Sequence, residues 1–499
     1  MNHRIPCKMG KKWKNWANTL SAKPQCIFYP QSQEDLIIIV KQAKTNKKKI
    51  RVAGSSHSWS PLVPTDEYLV MMSGLNSVTP YRNENGCFVT VEPGATIGKV
   101  AKKAAQAKMA FPTNTMLPSI QMGGSVATGC HGTGWEQPTA SDFIYAMDIV
   151  LASGEIRTFS VEKDGEEVMN KVRVNLGSIG IISKITFKIG EMFNVHNIEE
   201  TVLLNQVINK DDPSVLKNFI TSPDNQYVEM IWIPFSGNTP AEDKLYIKHY
   251  KRTEKPLSHV KLSKHISKLV GHFMLPLFSL VQTIFIQLRP TSIPQMSKKI
   301  VLLLPQQNNV IPITEALHHQ KKASKALKVY LSKPPYENFI TGNSSWAIPL
   351  DEDFSNITTA LYQIMDAVYD WAKDGKYPVT IVDIRFIKNS QALLSPAYQS
   401  VGSNVHTATI DFITYAPKAH FEEFLNFIAH KLYMKMNSRP HWAKQFQEID
   451  EIFPYLQHVY GPEFGDSLRK FKEFRDDLDP DGMFLNSFVE RVFSGLDKR

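Results

Sequence analysis

The amino-acid sequence predicts an α+β protein of two domains, for three reasons. Its 499 residues are more than one hydrophobic core normally serves. The first part of the chain alternates short apolar runs with glycine-rich turns, which is typical of a small domain made of short strands and helices. From about Glu191 onwards the predicted strands and helices become longer and glycine becomes rare, so we place a domain boundary there.

The overall composition is that of an ordinary soluble protein, with 42% hydrophobic and 21% charged residues. The formal net charge of +9 is spread along the sequence, apart from the lysine run at residues 47–49. This charge favours anionic ligands or a membrane surface at most. A nucleic-acid-binding protein would need a dense basic stripe with aromatic side chains, and we find none in the sequence. We therefore expect no nucleic-acid partner.

The cysteines and the N-terminus bear on the compartment. The four cysteines are too sparse for a disulfide framework, and no Cys-x-x-Cys pair indicates a metal site. We therefore expect no metal, and reduced thiols in a cytosol-facing protein at Cys7, Cys26, Cys87 and Cys130. Residues 1–18 are basic but lack the apolar stretch of a secretory signal peptide. This predicts a cytoplasmic protein, or one bound peripherally to an intracellular membrane.

The first strand–helix–strand unit ends in an unusual turn. Ser32 can cap a helix whose apolar residues recur at helical spacing, namely Leu36, Ile39, Val40 and Ala43. The strand at residues 47–53 then leads into small residues around one histidine, namely Gly54, Ser55, Ser56, His57 and Ser58. Small residues let the backbone approach a bulky ligand and direct its amides at phosphate or carbonyl oxygens. Taken alone, His57 is better explained as a histidine in an exposed turn.

A second glycine-rich stretch lies at residues 118–134. Five glycines fall within twelve residues and are interleaved with serine and threonine, which indicates backbone amides arranged around a phosphate-bearing ligand. The glycine spacing is not that of the Rossmann fingerprint, and no clear strand-to-helix frame surrounds it. A flexible loop is the alternative, but apolar residues among the glycines disfavour it. The candidate ligand residues are Gly123, Gly124, Ser125, Gly129, His131 and Gly132.

The rest of the first domain is predicted to be mostly strand. Residues 148–159 contain two apolar runs on either side of a Ser-Gly pair, which predicts a β-hairpin. A glycine-containing turn at residues 175–180 then leads into a strongly β segment that begins at Ile181 and ends near residue 189. Together these elements complete a small domain of short strands and helices.

A long apolar segment at residues 269–288 has three interpretations. Its length would just cross a bilayer. However, its polar residues and proline weaken a spanning helix, namely His272, Pro276, Gln282 and Gln287. A helix in contact with a membrane surface, or a buried or subunit-contact helix, is therefore favoured over a span.

Two strands of the second domain place polar side chains on one face. Residues 379–387 alternate with period two, so Asp383 and Arg385 point to the same face. Residues 406–412 also predict a strand with polar residues on one face, beginning at His406. Such a face is commonly exposed to solvent. A carboxylate paired with a guanidinium would also hold a polyhydroxylated ligand well.

Taken together, these stretches resemble the aldonolactone oxidase group of the vanillyl-alcohol-oxidase type of flavoproteins. That group includes gulonolactone and arabinonolactone oxidases and bacterial alditol oxidases. The match covers nearly the whole chain in the right order. It depends on Gly-Ser-Ser-His-Ser at 54–58, the glycine stretch at 123–134, Leu-Gly-Ser-Ile-Gly at 176–180, Asp-x-Arg at 383–385, His-Trp-Ala-Lys at 441–444 and Asp-Pro-Asp-Gly-Met-Phe at 479–484. The His-Trp-Ala-Lys motif is quite specific to the group.

The resemblance implies a two-domain α+β flavoprotein. A FAD-binding domain of the PCMH type would span residues 1–190, a mixed sheet–helix cap domain would span residues 191–440, and residues 441–499 would return to the FAD-binding domain. His57 would carry FAD through a covalent bond to the 8α carbon of the flavin. The implied cofactor-binding residues are Gly54, Ser55, Ser56, His57, Ser58, Gly123, Gly124, Ser125, Gly129, His131, Gly132, Gly180 and Ile181.

The resemblance also implies roles for the polar residues of the cap. Arg385 and Lys444 would stabilise a developing alkoxide and the reduced flavin, while Asp383 would hold a second hydroxyl. The substrate contacts would come from Ser125, Asp383, Arg385, His406, His441 and Lys444. The family usually has Glu where this chain has Asp383. This shorter arm puts the size and hydroxyl geometry of the substrate in question, but not the reaction class.

The implied activity is transfer of a hydride from a carbinol carbon of a gulono-, galactono- or arabinono-1,4-lactone to flavin N5, with dioxygen reduced to hydrogen peroxide. The expected partners are therefore a small polyhydroxylated substrate and dioxygen. An alditol oxidase and a dehydrogenase with a quinone or cytochrome acceptor are the alternatives in the same class. From another class, a membrane-surface binding protein without turnover would use residues 269–288. Gulonolactone oxidases have a similar apolar segment, which strengthens the case for membrane contact there.

Overall fold

The computed structural model describes residues 5–113, 115, 117–258, 290–302, 304, 306–316 and 342–496. The apolar segment at residues 269–288 lies outside the described residues, so its three interpretations stay predictions. No helix within the described ranges has both the length and the apolar character needed to span a bilayer. The described α-helices are Gln33–Asn46, Ile97–Gln106, Met122–Ala127, Val161–Val172, Ser214–Thr221, Ile293–Val301, Ile313–Ala316, Ser355–Lys373, Lys418–Ile428, Ile452–Val459, Ser467–Leu478 and Ser487–Phe493.

The first sheet is mixed and has four strands. With strands numbered along the chain, it contains β1 (Cys7–Lys8), β4 (Cys26–Phe28), β5 (Ile50–Ala53) and β6 (Tyr68–Met71), while β2 (Trp13–Lys14) and β3 (Ser21–Ala22) form a separate hairpin. Strands β4 and β5 both pair in parallel with β6, and the helix Gln33–Asn46 between them is capped by Ser32 as predicted. Met483 and Phe484 of the C-terminal segment pack into the same core.

The second sheet follows directly in the chain. It contains β7 (Val78–Asn83), β8 (Gly86–Val91), β9 (Met109–Ala110), β10 (Ile144–Val150), β11 (Ile156–Ser160) and β12 (Ile181–Glu191). The strand order is β11–β10–β12–β8–β7, and β9 also pairs with β12. Strands β10 and β11 form the hairpin predicted from the sequence.

The third sheet is the largest and is antiparallel throughout. It contains β13 (Asn194–Leu203), β14 (Tyr227–Ile233), β15 (Lys244–Thr253), β16 (Gln307–Pro312), β17 (Gly342–Pro349), β18 (Ile381–Ile387), β19 (Thr407–Thr414) and β20 (Arg439–Pro440). The order is β16–β13–β15–β14–β18–β19–β17–β20. Val382 and Ile384 of β18 share a hydrophobic core with Leu361 and Ile364 of the helix Ser355–Lys373. The polar side chains of β18 therefore lie on the other face of the sheet.

The glycine stretch differs from its prediction in one respect. Met122–Ala127 forms a short helix that we did not predict, although no described strand leads directly into it, since β9 ends at Ala110. Met122 and Val126 are buried in the main hydrophobic core. Burial of these apolar side chains outweighs the poor helix propensity of Gly123 and Gly124, because tertiary packing overrides local preference.

The expectation of four reduced thiols is wrong for Cys7 and Cys26, which form a disulfide. Their strands, β1 and β4, are adjacent and antiparallel, so the two Cα atoms lie 5.6 Å apart despite 19 residues of sequence separation. That separation suits a disulfide. The pairing depends on strand adjacency, which cysteine spacing does not reveal. Cys87 and Cys130 are free thiols as expected.

Candidate active site on the third sheet

Four charged side chains lie next to one another on the polar face of the third sheet, on three neighbouring strands. Glu229 on β14 lies opposite Arg385 on β18, and Asp383 on β18 lies opposite Asp411 on β19. All four side chains are buried. The prediction that Asp383 and Arg385 share a face is therefore confirmed, and the alternative that this face is exposed to solvent is wrong.

The guanidinium of Arg385 is held between two carboxylates. Its Nε donates to Glu229 Oε1 at 3.3 Å, and its Nη2 donates to Asp383 Oδ2. Burial disfavours the charged guanidinium, but Asp383, Glu229 and Asp411 outweigh burial and raise the pKa of Arg385 above its usual value. A guanidinium carries five N–H donors, so this clamp leaves donors available to a ligand.

The two aspartates respond differently to burial. Loss of hydration raises the pKa of Asp383 to about 8, because the attraction of Arg385 is opposed by Glu229 and Asp411. Burial also disfavours ionisation of Asp411, but Lys444 and Arg385 outweigh burial and lower its pKa. Asp383 is therefore protonated near neutral pH, whereas Asp411 is ionised.

Lys444 reaches these carboxylates from the C-terminal segment. Its Nζ donates to Asn343 Oδ1 at 2.8 Å and lies 3.8 Å from Asp411 Oδ1. The segment is held against β17 by a hydrogen bond from His441 N to Ser345 O at 2.9 Å. The structure thus brings the predicted Lys444, which is partly buried, beside the fully buried Arg385 and Asp383.

Two neutral imidazoles adjoin this cluster. The rings of His131 and His441 are buried, and their centroids lie 5.8 Å apart. Burial and the nearby Arg385 lower the pKa of His131 to about 4. Burial, His131 and Lys444 lower the pKa of His441 to about 3. Both rings are therefore uncharged at neutral pH, and each can donate or accept a hydrogen bond.

The end of the glycine stretch is bonded to the third sheet. Gly134 N donates to Phe386 O at 2.9 Å, and Thr133 Oγ1 donates to Val228 O. Phe386 and Val228 belong to β18 and β14, the strands that carry Arg385 and Glu229. These bonds hold the glycine stretch beside the charged cluster.

The His57 turn lies between the N-terminal segment and the His-Trp-Ala-Lys motif. Trp16 stacks on the His57 ring with centroids 5.0 Å apart, and Trp16 N donates to Ser56 O at 2.7 Å. Ser56 has a φ of 59°, a left-handed conformation that turns the chain sharply. On the other side, Trp59 N donates to Ala443 O at 2.8 Å. The turn therefore adjoins the C-terminal motif that carries the lysine.

The His57 turn also meets the start of the glycine stretch. Ser55 Oγ donates to Ser119 O at 2.9 Å. A Cβ atom added to Gly54 would lie 3.1 Å from Gln121 Oε1. Residues 54–58 and 118–134, which are far apart in sequence, are therefore neighbours, as a shared ligand site requires.

The residues between these elements fit a large polar cofactor such as FAD. Ser125 Oγ and Gln121 Oε1 are buried and have no hydrogen-bond partner within the described ranges. Buried polar atoms normally have partners, so a ligand is expected to supply them. A Cβ atom at Gly124 would meet no described atom within 4 Å, whereas one at Gly123 would lie 2.6 Å from Pro93 Cβ. Gly124 thus borders open space, and Gly123 is closely packed.

Other predicted cofactor residues have structural roles of their own. Gly129 and Gly180 have φ values of 69° and 148°, which favour glycine whether or not a ligand is nearby. Ile181 is buried in the core of the first sheet. The carbonyls of Ser58 and Gly132 accept hydrogen bonds from within the protein.

His406, predicted to touch substrate, contacts a different group of residues. Its ring stacks on Trp135 with centroids 3.7 Å apart. Its Nδ1 lies 3.1 Å from Asn404 O, and its Nε2 lies 3.9 Å from Glu136 Oε1. A substrate contact by His406 stays a prediction.

The sequence prediction gave no site role to several polar members of the cluster, namely Glu229, Asp411, Asn343 and Lys248, although it placed Asp411 on a strand with a polar face. Glu229 alternates with apolar neighbours in β14, and Lys248 on β15 lies opposite it. Period-two patterning could have marked each residue as polar on a strand face. It could not have shown which strands are neighbours.

Two family models match the chain. Residues 24–160 match a FAD binding domain, and residues 185–492, more than half of the chain, match D-arabinono-1,4-lactone oxidase. The chain belongs to the D-arabinono-1,4-lactone oxidase family. It is therefore a FAD-dependent oxidoreductase that acts on CH–OH groups, and the fit of the glycine stretch to a large polar cofactor agrees with this.

Three relatives match this chain over almost their whole length. L-gulonolactone oxidase of Scyliorhinus torazame is 26% identical over 496 residues, which cover 97% of this chain and 99% of the relative. L-gulono-1,4-lactone dehydrogenase of Mycobacterium tuberculosis is 25% identical over 485 residues, with 97% and 99% covered. D-arabinono-1,4-lactone oxidase of Yarrowia lipolytica is 22% identical over 538 residues, with 97% of each chain covered.

Solved structures match the fold of this lactone oxidase family member. Cholesterol oxidase from B. sterolicum gives a TM-score of 0.77 at 15% identity and covers 98% of this chain and 97% of its own. A solvent-stable cholesterol oxidase gives 0.71 at 16% identity and covers 98% of each chain. Identity this low supports the fold alone. The predicted two-domain vanillyl-alcohol-oxidase-type fold is confirmed.

Proposed function

We propose that the protein oxidises a carbinol carbon of a sugar-1,4-lactone of the gulono, galactono or arabinono type, with dioxygen reduced to hydrogen peroxide. The observation that carries the proposal is the buried Arg385, clamped by Glu229 and Asp383 next to Lys444. A buried polar cluster of this kind suits a small polyhydroxylated ring. Release of peroxide on gulono-, galactono- or arabinono-1,4-lactone tests the proposal.

When bound, FAD supplies the two-electron acceptor for the hydride. The protein's own groups orient the lactone and stabilise the charge that develops as its hydroxyl proton leaves. Arg385 and Lys444 would face that oxygen with positive charge in a site shielded from water. His131 and His441 are neutral and add no further positive charge, so they serve as hydrogen-bond partners.

Asp383 would bind a second hydroxyl of the lactone. Because burial keeps this carboxyl protonated near neutral pH, it can donate a hydrogen bond as well as accept one. It also holds Arg385 in place through Nη2. Ser125, whose buried hydroxyl lacks a partner within the described residues, would contact the cofactor or the lactone.

We further infer that His57 carries FAD covalently. We also infer three units: residues 1–190 form the FAD-binding domain, residues 191–440 form the cap, and residues 441–499 return to the FAD-binding domain. The stacking of Trp16 on His57 supports the first inference, because it fixes the plane of the imidazole. The packing of Met483 and Phe484 into the first sheet supports the third unit. Retention of flavin by denatured protein, and its loss in His57→Ala, tests the linkage.

The identity of the electron acceptor distinguishes a lactone oxidase, which uses dioxygen, from a lactone dehydrogenase, which uses another acceptor. Relatives are named both oxidases and a dehydrogenase, so a second acceptor is a specific alternative. Oxygen consumption measured with and without an artificial electron acceptor distinguishes them. A panel of lactones against xylitol and sorbitol distinguishes a lactone oxidase from an alditol oxidase.

The proposal also includes the cellular compartment of the protein and its contact with a membrane. We retain a cytoplasmic or peripheral membrane location and contact through residues 269–288 as predictions. The disulfide between Cys7 and Cys26 removes the argument from reduced thiols, because disulfides are rare in reducing compartments. Fractionation of cells into soluble, peripheral and lumenal material is the relevant test.

A further inference from the structure

The two aspartates of the cluster form a directly opposed pair. Asp383 on β18 and Asp411 on β19 are register partners in an antiparallel ladder. Side chains in such pairs have Cβ atoms about 4.5–5.5 Å apart. Asp383 is 1% exposed and Asp411 is 4% exposed. Two carboxyl groups are thus buried side by side.

Each of the two carboxyl groups has one buried oxygen without a hydrogen bond. Asp383 Oδ2 accepts from Arg385, and Asp411 Oδ1 lies 3.8 Å from Lys444 Nζ, which is beyond hydrogen-bond distance. Asp383 Oδ1 and Asp411 Oδ1 are both buried and lack a hydrogen-bond partner within the described part of the chain. Each of these two oxygens can therefore meet a polar group of a ligand.

The charges around the pair fix its protonation. Arg385 lies on the same strand as Asp383, and Glu229 faces it from β14. Lys444 approaches from the C-terminal segment, and the neutral His131 approaches from the glycine stretch. Two ionised carboxylates directly opposite each other repel, so one proton resides on the pair, mainly on Asp383.

We propose that Asp411 is a specificity-determining residue, and that the Asp383–Asp411 pair binds two adjacent hydroxyls of the substrate ring. This inference rests on the proposed lactone oxidation. The protonated carboxyl donates to one hydroxyl, and the ionised carboxyl accepts from its neighbour. The pair therefore selects a vicinal diol over a ring that lacks either hydroxyl.

Binding of a lactone and of its monodeoxy analogues tests this pair. The dissociation constants of D-arabinono-1,4-lactone and of its 2-deoxy and 3-deoxy forms are measured calorimetrically without oxygen on the protein whose FAD has first been reduced with dithionite, so that the lactone binds without being oxidised. In the wild type, removal of the hydroxyl that faces the ionised Asp411 should weaken binding by about tenfold or more, and removal of the hydroxyl that faces the protonated Asp383 by about three- to tenfold. Asp411→Asn should reduce one of these two penalties to about threefold or less. Asp366→Asn, the same change on an exposed helix position, should leave both penalties unchanged.

The pH dependence gives a second, independent readout. Lactone binding by the wild type should weaken as pH rises through the pKa of Asp383, because the donated proton is lost. Asp411→Asn removes a neighbouring negative charge that retains this proton, so the weakening should move to lower pH. Asp383→Asn should abolish the step. If Asp411 had only a structural role, Asp411→Asn would change the affinity for lactone without moving the pH at which binding weakens.

The inference is overturned if Asp411→Asn keeps both hydroxyl penalties and the wild-type pH step. Should Asp411→Asn fail to fold, as judged by circular dichroism, the wild type still decides: a pH step of equal size for the lactone and both deoxy forms refutes the pair. Lactone turnover is scored separately. Binding with the predicted penalties but no turnover of any lactone would remove the proposed function and leave the diol site.

Discussion

Replacing Lys444 by methionine should remove most of the turnover while the protein stays folded and loaded with FAD. Methionine keeps the length and the apolar stem of the side chain but removes the ammonium. In the structure that ammonium donates to Asn343 Oδ1 at 2.8 Å and lies 3.8 Å from Asp411 Oδ1. Like the guanidinium of Arg385, it can face a developing oxyanion.

The expected size of the effect follows from the charge. At an effective dielectric constant of about 20, two unit charges some 4 Å apart attract by about 4 kcal/mol. Losing one stabilising group at a developing oxyanion costs about 2.7–4 kcal/mol, which corresponds to a rate loss of about 100- to 1,000-fold. We therefore expect kcat of Lys444→Met to fall by about that factor.

Stopped-flow reduction of the bound flavin by lactone measures the rate of the chemical step. The ratio of flavin to protein absorbance measures the FAD content. Lys435→Met, the same substitution at an exposed position nine residues earlier in the chain, should behave as wild type. Lys444→Arg should restore part of the rate, because it restores the charge. The reasoning is refuted if Lys444→Met loses FAD and activity in equal proportion, since Lys444 would then support the fold rather than the reaction.

Three further outcomes are expected. In His57→Ala, precipitation with acid should release all flavin from the protein, whereas wild type should keep it; release from wild type would contradict the covalent link. Gly124→Ala should keep the thermal stability of the apoprotein and lower its FAD affinity, because the added methyl enters open space. Gly123→Ala should instead lower the free energy of unfolding by about 1–3 kcal/mol, because the added methyl would be overpacked against Pro93. Equal melting temperatures for the two variants would contradict the assignment of open space at Gly124 and close packing at Gly123. Reducing the disulfide between Cys7 and Cys26, or replacing both by serine, should lower the free energy of unfolding by about 3 kcal/mol through loss of loop closure; an unchanged denaturant midpoint would show that the bridge is absent in solution.

Strand periodicity was sufficient to place Asp383 and Arg385 on one face, because side chains alternate strictly along a strand. It was not sufficient to find Glu229 and Asp411. Their contacts depend on β14, β18 and β19 being neighbours, and β14 lies about 150 residues from β18 in the chain. The buried cluster is therefore a property of sheet order, which a single sequence does not specify.

Two other features depended on tertiary contacts in the same way. The helix Met122–Ala127 forms on a glycine-rich sequence because Met122 and Val126 are buried in the main core. The bridge between Cys7 and Cys26 forms because β1 pairs with β4. Neither local propensity nor cysteine spacing contains that information. By contrast, the capped helix Gln33–Asn46 was predictable, since its cap and its apolar face are both local signals.

Anaerobic addition of an aldono-1,4-lactone to the purified, FAD-loaded protein tests whether the lactone gives its hydride to the flavin. We expect the lactone to bleach the visible absorbance of oxidised flavin, and we expect admission of oxygen to restore that absorbance with release of peroxide. An absorbance that stays unchanged with gulono-, galactono- and arabinono-1,4-lactone alike would contradict lactone oxidation at the Arg385 cluster.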